Sequence, residues 1–179
     1  MLDEKLKKAF DKDGCVIIEN LISKDQVNII RKRVIELAER EKNSGEAYIY
    51  AFDKSGKTQR VWNLTNKGEI FIDILEIKVI DDFMNYIFDR ETQHQKYLLS
   101  SYQANVLQPG SIRQKLHIDT PVPEPLPEWA MKANTIWFLD DFTDLNGATE
   151  YIPGTHKLRY KPKSKDDENA KVIKACGPA

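Results

Sequence analysis

Near the middle of the sequence a histidine and an aspartate stand two apart, in Gln114-Lys-Leu-His117-Ile-Asp119. Residues two apart on an extended chain project to the same side, so this imidazole and carboxylate share a face if the segment is a strand. The pair is two-thirds of the facial triad that holds non-heme iron(II), an arrangement that leaves the opposite coordination positions open for a cosubstrate and oxygen. So short a spacing also arises by chance, and the plain alternative is a strand whose polar residues face solvent or bond one another. A third reading of the same residues is a zinc hydrolase using His117, Asp119 and His156, which requires all three side chains within ~2.0–2.2 Å of one ion.

Other residues with chemical potential have ordinary explanations beside the sharper ones. His94, in Glu-Thr-Gln-His-Gln-Lys, reads as part of a solvated loop. His156 reads as a turn histidine bonded to backbone or lining a pocket. Asp140 and Asp141 are candidates for an acid–base pair in hydrolysis. Neighbouring strand residues point to opposite faces, however, and Thr143 and Asn146 beside them are turn-building types. Cys15 and Cys176 lie far apart and outside any CxxC pair, so both are expected to be reduced, buried thiols.

The elements that must position these residues divide the chain into a helical first half and an extended second half. Leu2, Leu6, Ala9 and Phe10 recur at helical spacing up to Asp13-Gly14, where glycine closes the helix. A short buried strand, Cys15 to Glu19, is expected next. Ser23 opens a Ser-Lys-Asp-Gln capping box, and Val27, Ile30, Val34, Leu37 and Ala38 form one apolar stripe ending near Asn43-Ser44-Gly45. Tyr48 to Phe52 and Arg60 to Leu64 read as a hairpin about Asp53-Lys54-Ser55-Gly56. A third helix is predicted from about Ile77 to Asp89. Beyond Lys96 the runs Tyr97 to Leu107, Lys115 to Asp119, Asn134 to Leu139 and Ala148 to Ile152 read as strands between turn signals. Pro121 to Trp129 reads as a restrained Pro-rich loop, and Lys161 to Lys171 is polar enough for a flexible one. This order suggests an α+β fold, with helices packed outside a jelly-roll-like sheet.

A length of 179 residues suits a single domain over 1–179. The 27 basic and 28 acidic side chains leave a net charge of −1, so no global field draws in nucleic acid or anionic lipid, and a small molecule is the expected partner. No apolar run approaches the ~20 residues of a membrane helix, and the charged start is unlike a signal peptide, so a cytoplasmic protein is expected.

Four stretches, in order, resemble the phytanoyl-CoA dioxygenase family from about Phe10 to Ala179. Phe10-x-x-Asp13-Gly14-Cys-Val-Ile-Ile-Glu-Asn-Leu is similar to the family's first helix and strand. Gln114-x-Leu-His117-x-Asp119 is similar to its metal-binding strand. Ile136-Trp-Phe-Leu-Asp-Asp-Phe-Thr-x-x-Asn146-Gly-Ala-Thr149 and Pro153-Gly-Thr-His156 resemble the strands and turn that follow. The resemblance implies a double-stranded β-helix (jelly-roll, cupin-like) in which His117, Asp119 and one distal histidine hold Fe(II). It further implies 2-oxoglutarate as cosubstrate and hydroxylation of a small organic molecule as the reaction. Asn105 matches an asparagine that bonds the cosubstrate in relatives, and Trp137 matches a residue lining that pocket.

In the same resemblance the distal histidine, and the arginine that grips the far carboxylate of 2-oxoglutarate by a two-pronged contact, follow a Gly-rich strand later than Pro-Gly-Thr-His. Ala175 to Ala179 is similar to the approach to that strand, so His156 is not the distal ligand. The expectation is therefore an N-terminal fragment with C-terminal strands missing, weak iron binding and little or no catalysis. Its unpaired strand edges would favour a homo-oligomer. The alternative from another class is a non-catalytic β-barrel binding or assembly module.

Overall fold

Ser23 begins the longest helix. Its hydroxyl accepts from the Gln26 N–H at 3.2 Å while Gln26 Oε1 accepts from the Ser23 N–H at 3.0 Å, the reciprocal capping box its sequence predicts. The helix runs Lys24–Ser44 and stops at Gly45, whose φ of 77° is a left-handed conformation costly for other residues. The preceding helix, Glu4–Asp13, has Asp3 as its N-cap. These are α1 (Glu4–Asp13) and α2 (Lys24–Ser44); α3 (Glu69–Asp73) and α4 (Lys78–Phe88) follow a 3-10 turn at Leu64–Asn66. Replacing Ser23 with alanine is expected to lower stability by about 1 kcal/mol, read from a urea unfolding curve. A loss near zero would show that α2 starts without help from its cap.

The computed structural model describes residues 2–88, 97–120, 122–163 and 171–179. His94, and most of the polar stretch from Lys161 to Lys171, lie outside the described residues.

The hairpin forms as β1 (Tyr48–Ile49) against β2 (Thr58–Trp62), and β3 (Gln103–Leu107) adds antiparallel on the other side of β2. The register pairs Tyr48 with Arg60, Arg60 with Asn105, and Trp62 with Gln103. Alternation then puts Gln59, Val61, Ala104 and Val106 on the face toward α2, and Arg60, Trp62, Gln103 and Asn105 on the other. Gln59 Nε2 donates to the Ala38 carbonyl at 3.0 Å, joining sheet to helix. Between them Ile30, Val34, Leu37, Ala38, Val61, Leu64, Phe71 and Ile74 make the core. A second, two-stranded sheet pairs β4 (Glu150–Tyr151) with β5 (Ile173–Lys174).

Asp53 organises the hairpin turn. Its carboxylate accepts from the Ser55 N–H at 2.9 Å, the Ser55 hydroxyl at 2.5 Å and the Thr58 hydroxyl at 2.6 Å. The Ser55 hydroxyl, and then that of Thr58, hold its pKa down to about 2. An unfolded aspartate titrates at ~3.9. The folded value is the lower one, so the stabilisation is complete above about pH 4 and disappears as pH falls through about 2. Asp53→Asn should therefore flatten the acid limb of a stability profile between those limits. A variant limb as steep as the native one would assign the acid sensitivity to other carboxylates.

Several expected strands are not paired strands. Cys15 to Glu19, 115–119 and 134–139 carry no ladder, the first stretch is only partly buried, and Tyr97 to Leu107 pairs only from Gln103 onward. A strand exists by virtue of a neighbour, and no partner lies in register with these stretches among the described residues. What stands is a mixed helix and sheet protein with two small sheets. Both cysteines are free, but Cys176 is exposed rather than buried and Cys15 is half-buried. No described helix is long and apolar enough to cross a membrane.

Candidate metal centre

His117 and Asp119 meet without a ladder to align them. The His117 Nε2 and Asp119 Oδ1 atoms are 3.6 Å apart, and both side chains are about half exposed. His117 Nδ1 sits 2.7 Å from the Lys115 carbonyl oxygen. A carbonyl only accepts, so that contact places the ring proton on Nδ1 and leaves the Nε2 lone pair toward Asp119. Fixing a ligand histidine through its other nitrogen in this way is the usual support for a metal site. Ligand bonds of ~2.0–2.2 Å put any two donors of one ion within about 4.4 Å of each other, so a single ion can reach both atoms. Asp119 Oδ2, the outer oxygen, accepts from Asn134 Nδ2 at 2.6 Å.

No third His, Cys, Asp or Glu joins the pair to complete a metal-holding group among the described residues. His156, the third ligand of the zinc alternative, occupies the 3-10 turn Thr155–Lys157 and packs on α1 instead, its ring 6.3 Å from that of Phe10. It also covers Gly14, whose φ is 76° and where an added Cβ would fall 2.3 Å from His156 Nδ1. Partial burial, and then the neighbouring Lys157, lower the His156 pKa. The imidazole is thus a packing element on α1.

Asn105 lies on the sheet face away from α2, and its side-chain oxygen accepts from Gln103 Nε2 at 3.3 Å. Trp137 packs with Leu139 against the helix-side core, and its Nε1 is buried without a hydrogen-bond partner among the described residues. The two residues therefore stand on different faces. Asp140 is ion-paired with Arg31 at 2.6 Å. The Asp141 carboxylate accepts from the Ala179 N–H at 2.9 Å, while the Asn146 side chain closes the turn by bridging the Thr143 N–H and the Asp141 backbone carbonyl, so both carboxylates are engaged in structural contacts. A cavity of about 280 Å³, lined by Arg40, Glu41, Tyr48, Arg60, Trp62 and Lys67 among others, contains neither His117 nor Asp119.

Asn134 is the residue that inspection of the sequence overlooked. An asparagine at the head of an apolar run carries no signal of its partner until the run is laid beside 115–119.

An imidazole with its tautomer fixed, facing a carboxylate across a gap that one ion can bridge, supplies two of the three donors of a non-heme iron facial triad. The sequence matches the family described as Phytanoyl-CoA dioxygenase (PhyH) over residues 10–175. The chain belongs to the phytanoyl-CoA dioxygenase family. It is 30% identical over 176 residues to dioxygenase ALT11 of Alternaria alternata, covering 89% of this chain and 56% of the relative. It is 26% identical to dioxygenase FrzG of a Cladobotryum species, over 86% of this chain and 55% of that protein. The iron/alpha-ketoglutarate-dependent dioxygenase okaE of Penicillium ochrochloron is 28% identical, over 97% of this chain and 59% of its own length. The chain thus spans about half the length of the curated relatives it matches, and iron and 2-oxoglutarate are cofactors used within the family.

Proposed function

We propose that this chain is part of a non-heme Fe(II)- and 2-oxoglutarate-dependent dioxygenase that hydroxylates a small organic substrate on a double-stranded β-helix. The observation that carries the proposal is the 3.6 Å approach of His117 Nε2 to Asp119 Oδ1, with the ring proton held on Nδ1 by Lys115. These two atoms would hold the iron. When bound, iron(II) would allow dioxygen to be reduced by four electrons, two from 2-oxoglutarate as it becomes succinate and carbon dioxide and two from the substrate as it is hydroxylated, with one oxygen atom entering succinate and the other the substrate.

The protein's own residues orient and exclude. The Lys115 carbonyl keeps His117 in the ligating tautomer, and Asn105 would offer its side-chain NH2 group to the cosubstrate. The buried Nε1 of Trp137, without a partner among the described residues, is a donor that an acceptor reaching the core side of the sheet, opposite Asn105, would satisfy. With two protein ligands brought together among the described residues, weak iron binding and little turnover are expected of this chain. Among the described residues the outer edges of β1 and β3 pair with no further strand, which favours pairing with a second copy. The absence of a third metal-ligating side chain beside the pair among the described residues favours, as a second reading, a non-catalytic module that kept the scaffold.

An anaerobic titration with iron(II) and 2-oxoglutarate separates the two. A weak visible charge-transfer band that His117→Ala abolishes supports the oxygenase. No band at any concentration favours the module.

A further inference from the structure

We infer that Asn134 is a positioning residue for the metal ligand Asp119, holding it to one-oxygen ligation; this rests on the metal reading above. The Asn134 side chain meets Asp119 Oδ2 at 2.6 Å, and only its NH2 end can face a carboxylate that closely. The bond is charge-assisted, which makes it stronger than a neutral amide contact. It saturates the oxygen turned away from His117 and leaves Oδ1 as the atom facing Nε2. The carboxylate is then presented through one oxygen, and a coordination position that the second oxygen would otherwise occupy stays open.

The source of the bond matters as much as its length. Asn134 comes from a different stretch of chain from the ligands, and that stretch is anchored further on by Trp137 and Leu139 against the core. Asp119 is therefore oriented from the body of the protein rather than by its own loop. His117 receives its corresponding support from Lys115, within its own segment. The two ligands are thus fixed by independent means. Asn134 itself is exposed, so its removal takes nothing from the hydrophobic core.

The test uses the 179-residue chain and cobalt(II) alone, followed by its visible ligand-field absorption. Asn134→Ala should weaken cobalt binding by about 10–100-fold, the usual effect of losing an outer partner of a ligand. It should also change the shape of the bands, because the released carboxylate can bind through both oxygens. Asn134→Gln, which keeps the amide donor, should recover part of the affinity and the native band shape. The unfolding midpoint of the metal-free protein should not move in either variant. Native affinity and native bands in Asn134→Ala overturn the inference and leave the metal site intact. A fall in the metal-free midpoint that accounts for the lost affinity also overturns it, in favour of a structural role. Failure of the wild-type chain to bind cobalt, or indifference to His117→Ala, overturns the metal reading and this inference with it.

Discussion

Replacing Asp119 with alanine is expected to reduce iron(II) affinity by more than about 100-fold, beyond the ~10–100-fold that loss of an outer-sphere partner costs. The carboxylate is the anionic member of the pair, its Oδ1 3.6 Å from His117 Nε2. An imidazole left alone on an exposed loop holds a divalent ion no better than many surface histidines. Because Asp119 is about half exposed and its bond to Asn134 is a surface contact, the fold should survive the change. Equilibrium dialysis against iron(II) under anaerobic conditions, with circular dichroism as the control for folding, reads the effect. Equal retention of iron by native and variant chains would remove residue 119 from the ligand set.

The second large effect belongs to the core. Phe71 is 1% exposed, lies in the cluster with Leu37 and Val61, and meets Tyr102 edge to face with ring centroids 6.4 Å apart. Phe71→Ala should destabilise the protein by about 3–5 kcal/mol, from lost burial, the cavity left behind and the lost aromatic contact. Domains are stable by only about 5–15 kcal/mol, so this one truncation removes a large share of the margin. Urea unfolding monitored by tryptophan fluorescence measures it. A loss under about 1 kcal/mol would mean that the site collapses around the smaller side chain.

How much of this was legible in the amino-acid order depends on how local each signal is. Ser23 and Gln26 are three residues apart and hold one another, so the start of α2 is written in adjacent positions. Gly14, Gly45 and the turn from Asp53 to Gly56 are equally local, and the first two helices form where they were expected, while the hairpin forms about its expected turn with strands Tyr48–Ile49 and Thr58–Trp62, its second strand starting earlier and ending before Leu64. The helix of Val79, Ile80, Phe83, Met84 and Ile87 runs Lys78–Phe88, starting within a residue of its expected beginning, and its expected last residue, Asp89, lies outside the described residues. The short α3 was missed although Ile70, Phe71 and Ile74 recur at helical steps, because a five-residue helix gives the pattern too little length.

Extended chain was harder to read for a physical reason. Val, Ile and Trp in alternation describe a stretch able to lie in a sheet, but pairing is a property of two stretches. Arg60 finds Asn105 across a ladder, whereas His117 and Trp137 sit on segments with none, and the His117 segment bends at Leu116 and Asp119. For the site, the spacing of His117 and Asp119 was visible and their approach followed without the expected strand. The Lys115 carbonyl was not visible, since backbone carries no sequence signature, and neither was Asn134, whose partner is fixed only by tertiary packing.

The clasp between α1 and the Thr155–Lys157 turn bears on how the molecule is made. The Gly154 N–H donates to the Asp13 carbonyl at 2.9 Å while the His156 ring covers Gly14, so residues far apart in the sequence close on one another. During synthesis α1 can dock on α4, where the Phe10 ring meets Phe83 and Asp11 accepts from the Tyr86 hydroxyl, but its C-terminal end gains the Gly154 contact only once the chain has been made that far. Contacts between such distant partners are entropically slow to close, so this clasp should form after α1 has settled on α4.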